Sequence, residues 1–319
     1  MNDMNGLESQ LASTVLMIRP VRFQQNPLTA DSNAFMADID DSAAEQQTHA
    51  LGEFNSLVEA LRDAGIYVIV VDDTPEPHTP DSVFPNNWVT THMDGRVLLY
   101  PMEAPNRRTE RRRDIFDILH DEHGFRISEI IDLSSHEANG HYLEGTGSLV
   151  LDRLHHVAYA CLSSRTQLDP LGVFAQQMDY EVVAFDAVDR DGVPIYHTNV
   201  MMSVGEEIAV ICSRSIPDEV QREAVLSRLE HSGRKIVDID YDQLESFAGN
   251  MLELRAADGA RVMAMSAQAL DSLSAKQRET IESQDRLAIA DISSIESSAG
   301  GSVRCMLAEI HLPLIEGKQ

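Results

Sequence analysis

Cys305 stands in "GGSVRCMLAE" (300–309), behind two glycines and a serine and at the mouth of an apolar run. A cysteine attacks as its thiolate. Only a few per cent of a free thiol is ionised at neutral pH, so a nucleophilic cysteine needs an imidazole or a positive field beside it. His197 in "YHTNVMMSVG" offers such an imidazole, able to act as general acid and base. Glu144 in "LEGTGSLVLD" offers a carboxylate that could bind the imidazole or a leaving nitrogen. Asn87 in "FPNNW", Asn199 in "YHTNV" and Asn250 in "FAGNM" add amides, which both donate and accept and can grip a planar N–C–N group without adding charge.

Residue type alone leaves each of these open. Free cysteines usually pack as small hydrophobes, and Cys161 in "AYACLSS" and Cys212 in "AVICSRS" read as inert thiols inside apolar strands. A histidine at a strand start can be an ordinary hydrogen-bonded side chain, and asparagines serve turns most often. Cys305 differs by its Gly-Gly-Ser approach.

What must position these residues is a repeat of roughly fifty residues. Five segments close a helical pattern with a short β-branched run ending on Asp: "IYVIVVDD" (66–73), "FRISEIIDL" (125–133), "YEVVAFDA" (180–187), "RKIVDID" (234–240) and "RLAIADI" (286–292). The helical patterns ahead of them run over 42–65, 106–124, 167–178, 216–233 and 266–284. Each unit opens with two apolar runs joined by a polar turn, as in "FPNNWVTTHMDGRVLLY" (84–100) and "FAGNMLELRAADGARVMAM" (247–265), where Asp-Gly is a hairpin signal. The first unit is entered by "TVLMIRPVRF" (14–23) and lacks its opening strand, which "VRCMLAEIHL" (303–312) at the other end of the chain can supply. Five strand–turn–strand–helix–strand units closed by the chain ends predict one domain over 14–319, a ring without free sheet edges, after a poorly ordered segment 1–13.

Superimposing the unit starts places Asn87, Asn199, Asn250 and Cys305 at equivalent positions, with Glu144 and His197 just upstream of theirs. In a closed ring such positions converge on one central cavity. The register therefore assembles a catalytic constellation that no single motif shows.

Composition bounds the partners. With 25 Lys and Arg against 52 Asp and Glu, the net charge of −27 repels phosphate backbones and anionic membranes, which argues against nucleic-acid or membrane binding. The first apolar stretch, 15–18, is too short for a signal peptide or a membrane span. Three cysteines, an odd number, speak against a disulfide framework and for a reducing cytoplasm. "HDEH" (120–123) and "HH" (155–156) have no second cluster to complete a zinc site, so no metal is expected. "RRTERRR" (107–113) reads as a solvated helix face. The long polar loop 18–35 stands where unit 1 should have its hairpin. Its Arg19 and Arg22 are candidates to fix a substrate carboxylate.

The ordered motifs "FPNNW", "LEGTGSLVLD", "YHTNVMMSVG", "FAGNMLEL" and "VRCML", with the opening "IRPVRF…NPLTADSNAF", resemble the arginine deiminase, or guanidine-modifying amidinotransferase, superfamily over about 15–312. The resemblance is strongest to the arginine deiminase-related citrulline utilization hydrolase type. It implies the α/β five-bladed propeller (pentein) fold, which agrees with the repeat count. It also implies Cys305 as nucleophile, His197 as general acid/base and Glu144 as the carboxylate that binds substrate nitrogens. Where deiminases carry two aspartates that clasp a guanidinium, this chain has Asn87 and Asn199. Asp81, just ahead of "FPNN", joins Asn250, Arg19 and Arg22 as a candidate binding residue. Two amides in place of two carboxylates favour a neutral group over a cation.

The implied activity is cysteine-dependent hydrolysis of a C–N bond in a linear amidine or ureido group of an arginine- or citrulline-like small molecule, through an S-linked intermediate and without cofactor or metal. Transfer of the intermediate to an amine, as in an amidinotransferase, and a non-catalytic binding protein of the same fold are the alternatives. The expected partner is the small guanidino or ureido substrate, with assembly into a homo-oligomer left open.

Overall fold

The computed structural model describes residues 9–29, 33, 35–37, 41–315 and 317. Its strands form five three-stranded sheets. β1 (Thr14–Arg19) pairs in parallel with β2 (Tyr67–Asp72). β3 (Val89–Thr91), β4 (Arg96–Leu99) and β5 (Glu129–Asp132) make the second sheet, and β6 (Val150–Asp152), β7 (Val157–Cys161) and β8 (Glu181–Phe185) the third. β9 (Met202–Val204), β10 (Ile208–Ile211) and β11 (Lys235–Asp238) make the fourth; β12 (Leu252–Arg255), β13 (Arg261–Ser266) and β14 (Arg286–Ala290) make the fifth. In these four sheets the first pairing is an antiparallel hairpin and the second is parallel, reached through helical chain. β15 (Ala308–Glu309) adds antiparallel to β1, so the last strand of the chain completes the first sheet, as the repeat predicts.

The helices form where apolar residues recur at helical spacing. α1 (Ala43–Asp63) starts at a capping box in which Ser42 and Glu45 bond each other's backbone, worth about 1 kcal/mol. It buries Ala50, Phe54, Leu57 and Leu61 on one face, at about 1.5–3 kcal/mol for each large side chain. That face meets β14 and α10 (Ser293–Ala299), in an apolar cluster that also holds Val15, Val68, Leu254 and the neighbours of Cys305. Between these two lie α2 (Asp114–Asp121), α3 (Gly145–Ser148), α4 (Leu168–Met178), α5 (Thr198–Met201), α6 (Glu219–His231), α7 (Tyr241–Glu245), α8 (Ala267–Ser272) and α9 (Ala275–Glu282). Other apolar clusters join β1 and β2 to β3 and β4, and the third sheet to the fourth and fifth. Among the described residues no helix is long and apolar enough to cross a membrane.

Three local expectations are corrected. The pattern over 106–124 is two pieces, a 3-10 turn (Pro105–Glu110) and α2, because Pro105 at the first turn winds its own short segment. The pattern over 266–284 breaks between α8 and α9, where Ser274 opens α9 with a capping box of its own. At the N-terminus, residues 9–13 are packed rather than poorly ordered: Gln10 donates to Leu151 O and Val204 O and accepts from Arg153 N, tying the third sheet to the fourth. Residues 1–8 lie outside the described part.

Candidate active site

Asn87, Glu144, His197, Asn199, Asn250 and Cys305 each sit on or beside a short turn just ahead of the strand that opens their sheet. Asn87 ends the 3-10 turn Pro85–Asn87 before β3; Glu144 caps α3 before β6; His197 caps α5 before β9. Asn199 lies within α5, Asn250 just before β12, and Cys305 within the 3-10 turn Val303–Met306 before β15. The repeat register thus translates into turns of equivalent place, and Cys305 is on a turn rather than on the strand itself. Glycines let these turns touch. Gly145 has φ +46°, and a Cβ there would lie 2.2 Å from Asn86 O. A Cβ on Gly147 would lie 2.5 Å from Asn87 Nδ2 and 2.7 Å from His197 Nδ1. Any side chain at Gly147 would therefore clash with both the Asn87 amide and the His197 ring.

Cys305, His197, Asn87, Asp81, Arg107 and Arg165 line one small, tightly packed cavity. The Cys305 sulfur accepts from Asn199 Nδ2 and Asn250 Nδ2, each at 3.4 Å. Asn250 Nδ2 also donates to the backbone carbonyl of Asn199 at 2.9 Å, which ties its amide to the turn that carries Asn199. Two N–H donors on one sulfur complement the negative charge a thiol carries when it attacks. The other cysteines are placed differently. Burial pushes the Cys161 thiol up to about 12 and Cys212 up to about 11, holding both protonated.

His197 Nε2 and Glu144 Oε2 are 2.9 Å apart, with both side chains buried. Burial dominates the imidazole and lowers its pKa to about 4, against the opposing pull of Glu144. Burial also penalises the Glu144 carboxylate, but Arg165, the His197 contact and Arg107 outweigh it and bring its pKa down to about 2. At neutral pH the pair is a carboxylate and a neutral imidazole. Nε2 then donates to Glu144 and Nδ1, on the Gly147 side, is left to accept a proton, a tautomer assigned from this network.

Two arginines that the sequence reading missed complete the site. Arg107 belongs to the run "RRTERRR" that reads as a solvated face, yet it is 2% exposed. It forks onto Glu110 at 2.9 and 3.0 Å, donates to Asn87 Oδ1 at 2.9 Å, and lies 3.6 Å from Asp81 and 4.0 Å from Glu144. The signal for it was Glu110 three residues on and Pro105 at the start of the turn, which rolls Arg107 inward. Arg165 stacks over the Tyr196 ring, with its guanidinium carbon 4.9 Å from the centroid, and stands 3.8 Å from Glu144. Its local sequence, "SSRTQ", carries no mark of this position.

Asp81 reaches the cavity: Oδ2 accepts from Asn26 Nδ2 at 2.6 Å, and Oδ1 is buried without a hydrogen-bond partner. Arg19 and Arg22 do not. The parallel register of β1 and β2 sets Arg19 opposite Asp72, where they form an exposed ion pair at 2.8 Å, and Arg22 pairs with exposed Glu76 at 2.8 Å. Thr29 and Asn33 are the residues of the 18–35 segment that line the cavity; 30–32 and 34 lie outside the described part. Among the described residues no group of three His, Cys, Asp or Glu side chains is arranged to hold a metal.

A family model described as N,N dimethylarginine dimethylhydrolase, eukaryotic, matches residues 19–312. No curated protein matches the chain in sequence. Among solved structures, apo ArgZ, an arginine dihydrolase from the ornithine–ammonia cycle in cyanobacteria, is 20% identical with a TM-score of 0.71, covering 96% of this chain and 42% of that one. The N-terminal domain of an ArgZ variant covalently bound to a reaction intermediate is 20% identical, with a TM-score of 0.69 over 94% of this chain and 99% of that one. A dimethylarginine dimethylaminohydrolase variant in adduct with S-methyl-L-thiocitrulline is 16% identical, with a TM-score of 0.63 over 94% and 100%. The present chain thus spans about two fifths of full-length ArgZ. At these identities the likeness to the solved structures is one of fold; the family match over residues 19–312 makes the chain a member of the N,N dimethylarginine dimethylhydrolase (eukaryotic) family.

Proposed function

We propose that this protein is a cysteine-dependent hydrolase cleaving a C–N bond at the guanidino or ureido end of an arginine- or citrulline-like small molecule. The observation that carries the reading is the meeting, in one cavity, of a sulfur held by two amides and a neutral imidazole backed by a buried carboxylate. Cys305 Sγ bonds to the central carbon of the substrate group and its proton passes to His197. The imidazolium gives that proton to the departing nitrogen, and the C–N bond breaks. Water activated by His197 then cleaves the S–C bond and releases the thiol. Glu144 orients the imidazole and stabilises its charged form between these steps.

The covalent intermediate captured on the ArgZ domain and the thiocitrulline adduct of the dimethylarginine hydrolase support this reading. The five sheets are read as blades of a closed propeller, with their opening turns around this cavity. A reducing cytoplasm, keeping Cys305 a free thiol, belongs to the same proposal.

Charge balance favours a ureido substrate as a second reading. Asp81 faces Arg107 and Glu144 faces Arg165, so the carboxylates that line or border the cavity are already countered, and the groups on Cys305 are neutral amides. Purified protein given arginine, agmatine, methylarginines, succinylarginine and citrulline, with ammonia and amine release scored, tests both readings. Turnover of at least one of them, lost in Cys305→Ser, is expected. Turnover of arginine with none of citrulline would remove the ureido reading, and no turnover at all would leave a binding protein.

A further inference from the structure

The turn that presents Cys305 is held from behind by a carboxyl group that the proposed chemistry does not use. Glu296 lies in α10, 2% exposed, and its Oε1 accepts from Ser302 Oγ at 2.6 Å. Ser302 is wholly buried, and its carbonyl oxygen accepts the Cys305 N–H at 3.0 Å. The chain between them has little freedom. Gly300 takes φ +63° to end α10, and Asn33 Nδ2 donates to Ala299 O at 3.0 Å. Tyr196 O–H donates to Gly300 O, and a Cβ on Gly301 would lie 2.9 Å from the Phe84 ring. The front of this loop faces the cavity through Ala299 and Gly301, and the Glu296–Ser302 bond braces its back.

We propose that Glu296 is a positioning residue: through Ser302 it sets the turn that holds the Cys305 sulfur against the Asn199 and Asn250 amides. The inference rests on Cys305 being the reacting thiol. It goes beyond the catalytic constellation because Glu296 touches neither the sulfur nor the cavity.

The surroundings of Glu296 make this brace sensitive to pH. Burial raises its pKa to about 7, helped by Glu53 and Asp291 and opposed by the Ser302 and Ser266 hydroxyls. Glu53, on α1, accepts the Ser294 and Ile295 N–H groups, and Asp291 accepts that of Ser293, so the charged groups about this end of α10 are negative. Ser266 ends β13 and caps α8. As pH rises through neutrality Glu296 ionises and becomes an acceptor only, which strengthens its hold on the Ser302 hydroxyl. Below that pH its own O–H competes for the same partners.

Alkylation of Cys305 by iodoacetamide, followed site by site with mass spectrometry, tests this without a substrate. Wild-type Cys305 should show a step in labelling rate near neutral pH that follows the ionisation of Glu296. Glu296→Gln, which keeps a carbonyl acceptor, should label within about threefold of wild type but lack the step. Glu296→Ala and Ser302→Ala should each slow labelling about tenfold or more. Labelling of both alanine variants at the wild-type rate across pH 5–9 would overturn the proposal, and so would a Gln variant that keeps the step. If Glu296→Ala fails to fold, Ser302→Ala decides the matter. Labelling that depends on Glu296 in a protein with no turnover would count against the hydrolase reading alone.

Discussion

His197 Nε2 and Glu144 Oε2 meet at 2.9 Å across two different sheets, each at the cap of a single helical turn and each sealed from solvent. Thr198 locks the turns together, donating to Ser148 O at 2.6 Å and accepting from Cys161 N at 2.8 Å. A contact between two caps is only as good as the packing of the turns that carry them. Here that packing is set by Gly145 and Gly147, which allow the backbone of α3 to lie against Asn86, Asn87 and His197.

This pair ties stability to acid. The folded imidazole titrates near 4 against 6.5 in the unfolded chain, and the folded carboxylate near 2 against 4.5. In both windows the unfolded state binds more protons, so stability falls as pH is lowered. Between pH 7 and 4 the His197 contribution to stability, on the order of 1–3 kcal/mol, should be lost, while the raised carboxyls of Glu110, Glu253 and Glu296 act in the opposite direction. His197→Gln, which can still donate to Glu144, should remove this contribution, so that thermal melts of variant and wild type differ in slope between pH 6.5 and 4. An unchanged slope in that variant would mean that His197 is not held neutral by the fold.

The three thiols should separate cleanly. Cys161 and Cys212 are wholly buried, with thiols pushed up to about 12 and about 11, so at pH 7–8 they should label at least about a hundredfold more slowly than Cys305 in folded protein. Cys161→Ala and Cys212→Ala should keep the activity of the wild type. Cys305→Ser should lower kcat by about a thousandfold or more, because an alcohol is far from ionised at this pH. Equal, slow labelling of all three in native protein would speak for a binding protein.

Two sets of arginines should behave oppositely. Arg107 compensates Glu110 and Asp81 in a buried site, so Arg107→Met should cost about 3–5 kcal/mol in urea unfolding, by leaving buried charge unpaired. Arg19→Ala and Arg22→Ala remove exposed pairs and should each cost less than about 1 kcal/mol, with kcat and KM unchanged. A raised KM in either surface variant would restore those residues as substrate ligands.

Much of this was legible without coordinates, for one reason: a repeat turns distant residues into equivalent ones. The alternation of apolar runs with helical patterns located all five units, and the Asp-Gly pairs at 94–95 and 258–259 do join β3 to β4 and β12 to β13. The register put Cys305 in the same class of place as Asn87, Asn199 and Asn250, and the structure brings two of these amides onto its sulfur. The cavity also takes in Asp81 and His197. Arg19 and Arg22 lie outside the lining of the cavity, because sequence proximity to a loop says nothing about where the fold points a side chain.

Residue order by itself determined the units, the missing first strand and its supply by the end of the chain, and which cysteine differed from the others. Those follow from periodicity and turn chemistry, which are local. Tertiary structure alone decided that Arg107 and Arg165 sit among the carboxylates, that the histidine is neutral while its partner is charged, and that Glu296 braces the cysteine turn from behind. These depend on burial and on charges brought from other units, and neither quantity exists until the chain has folded.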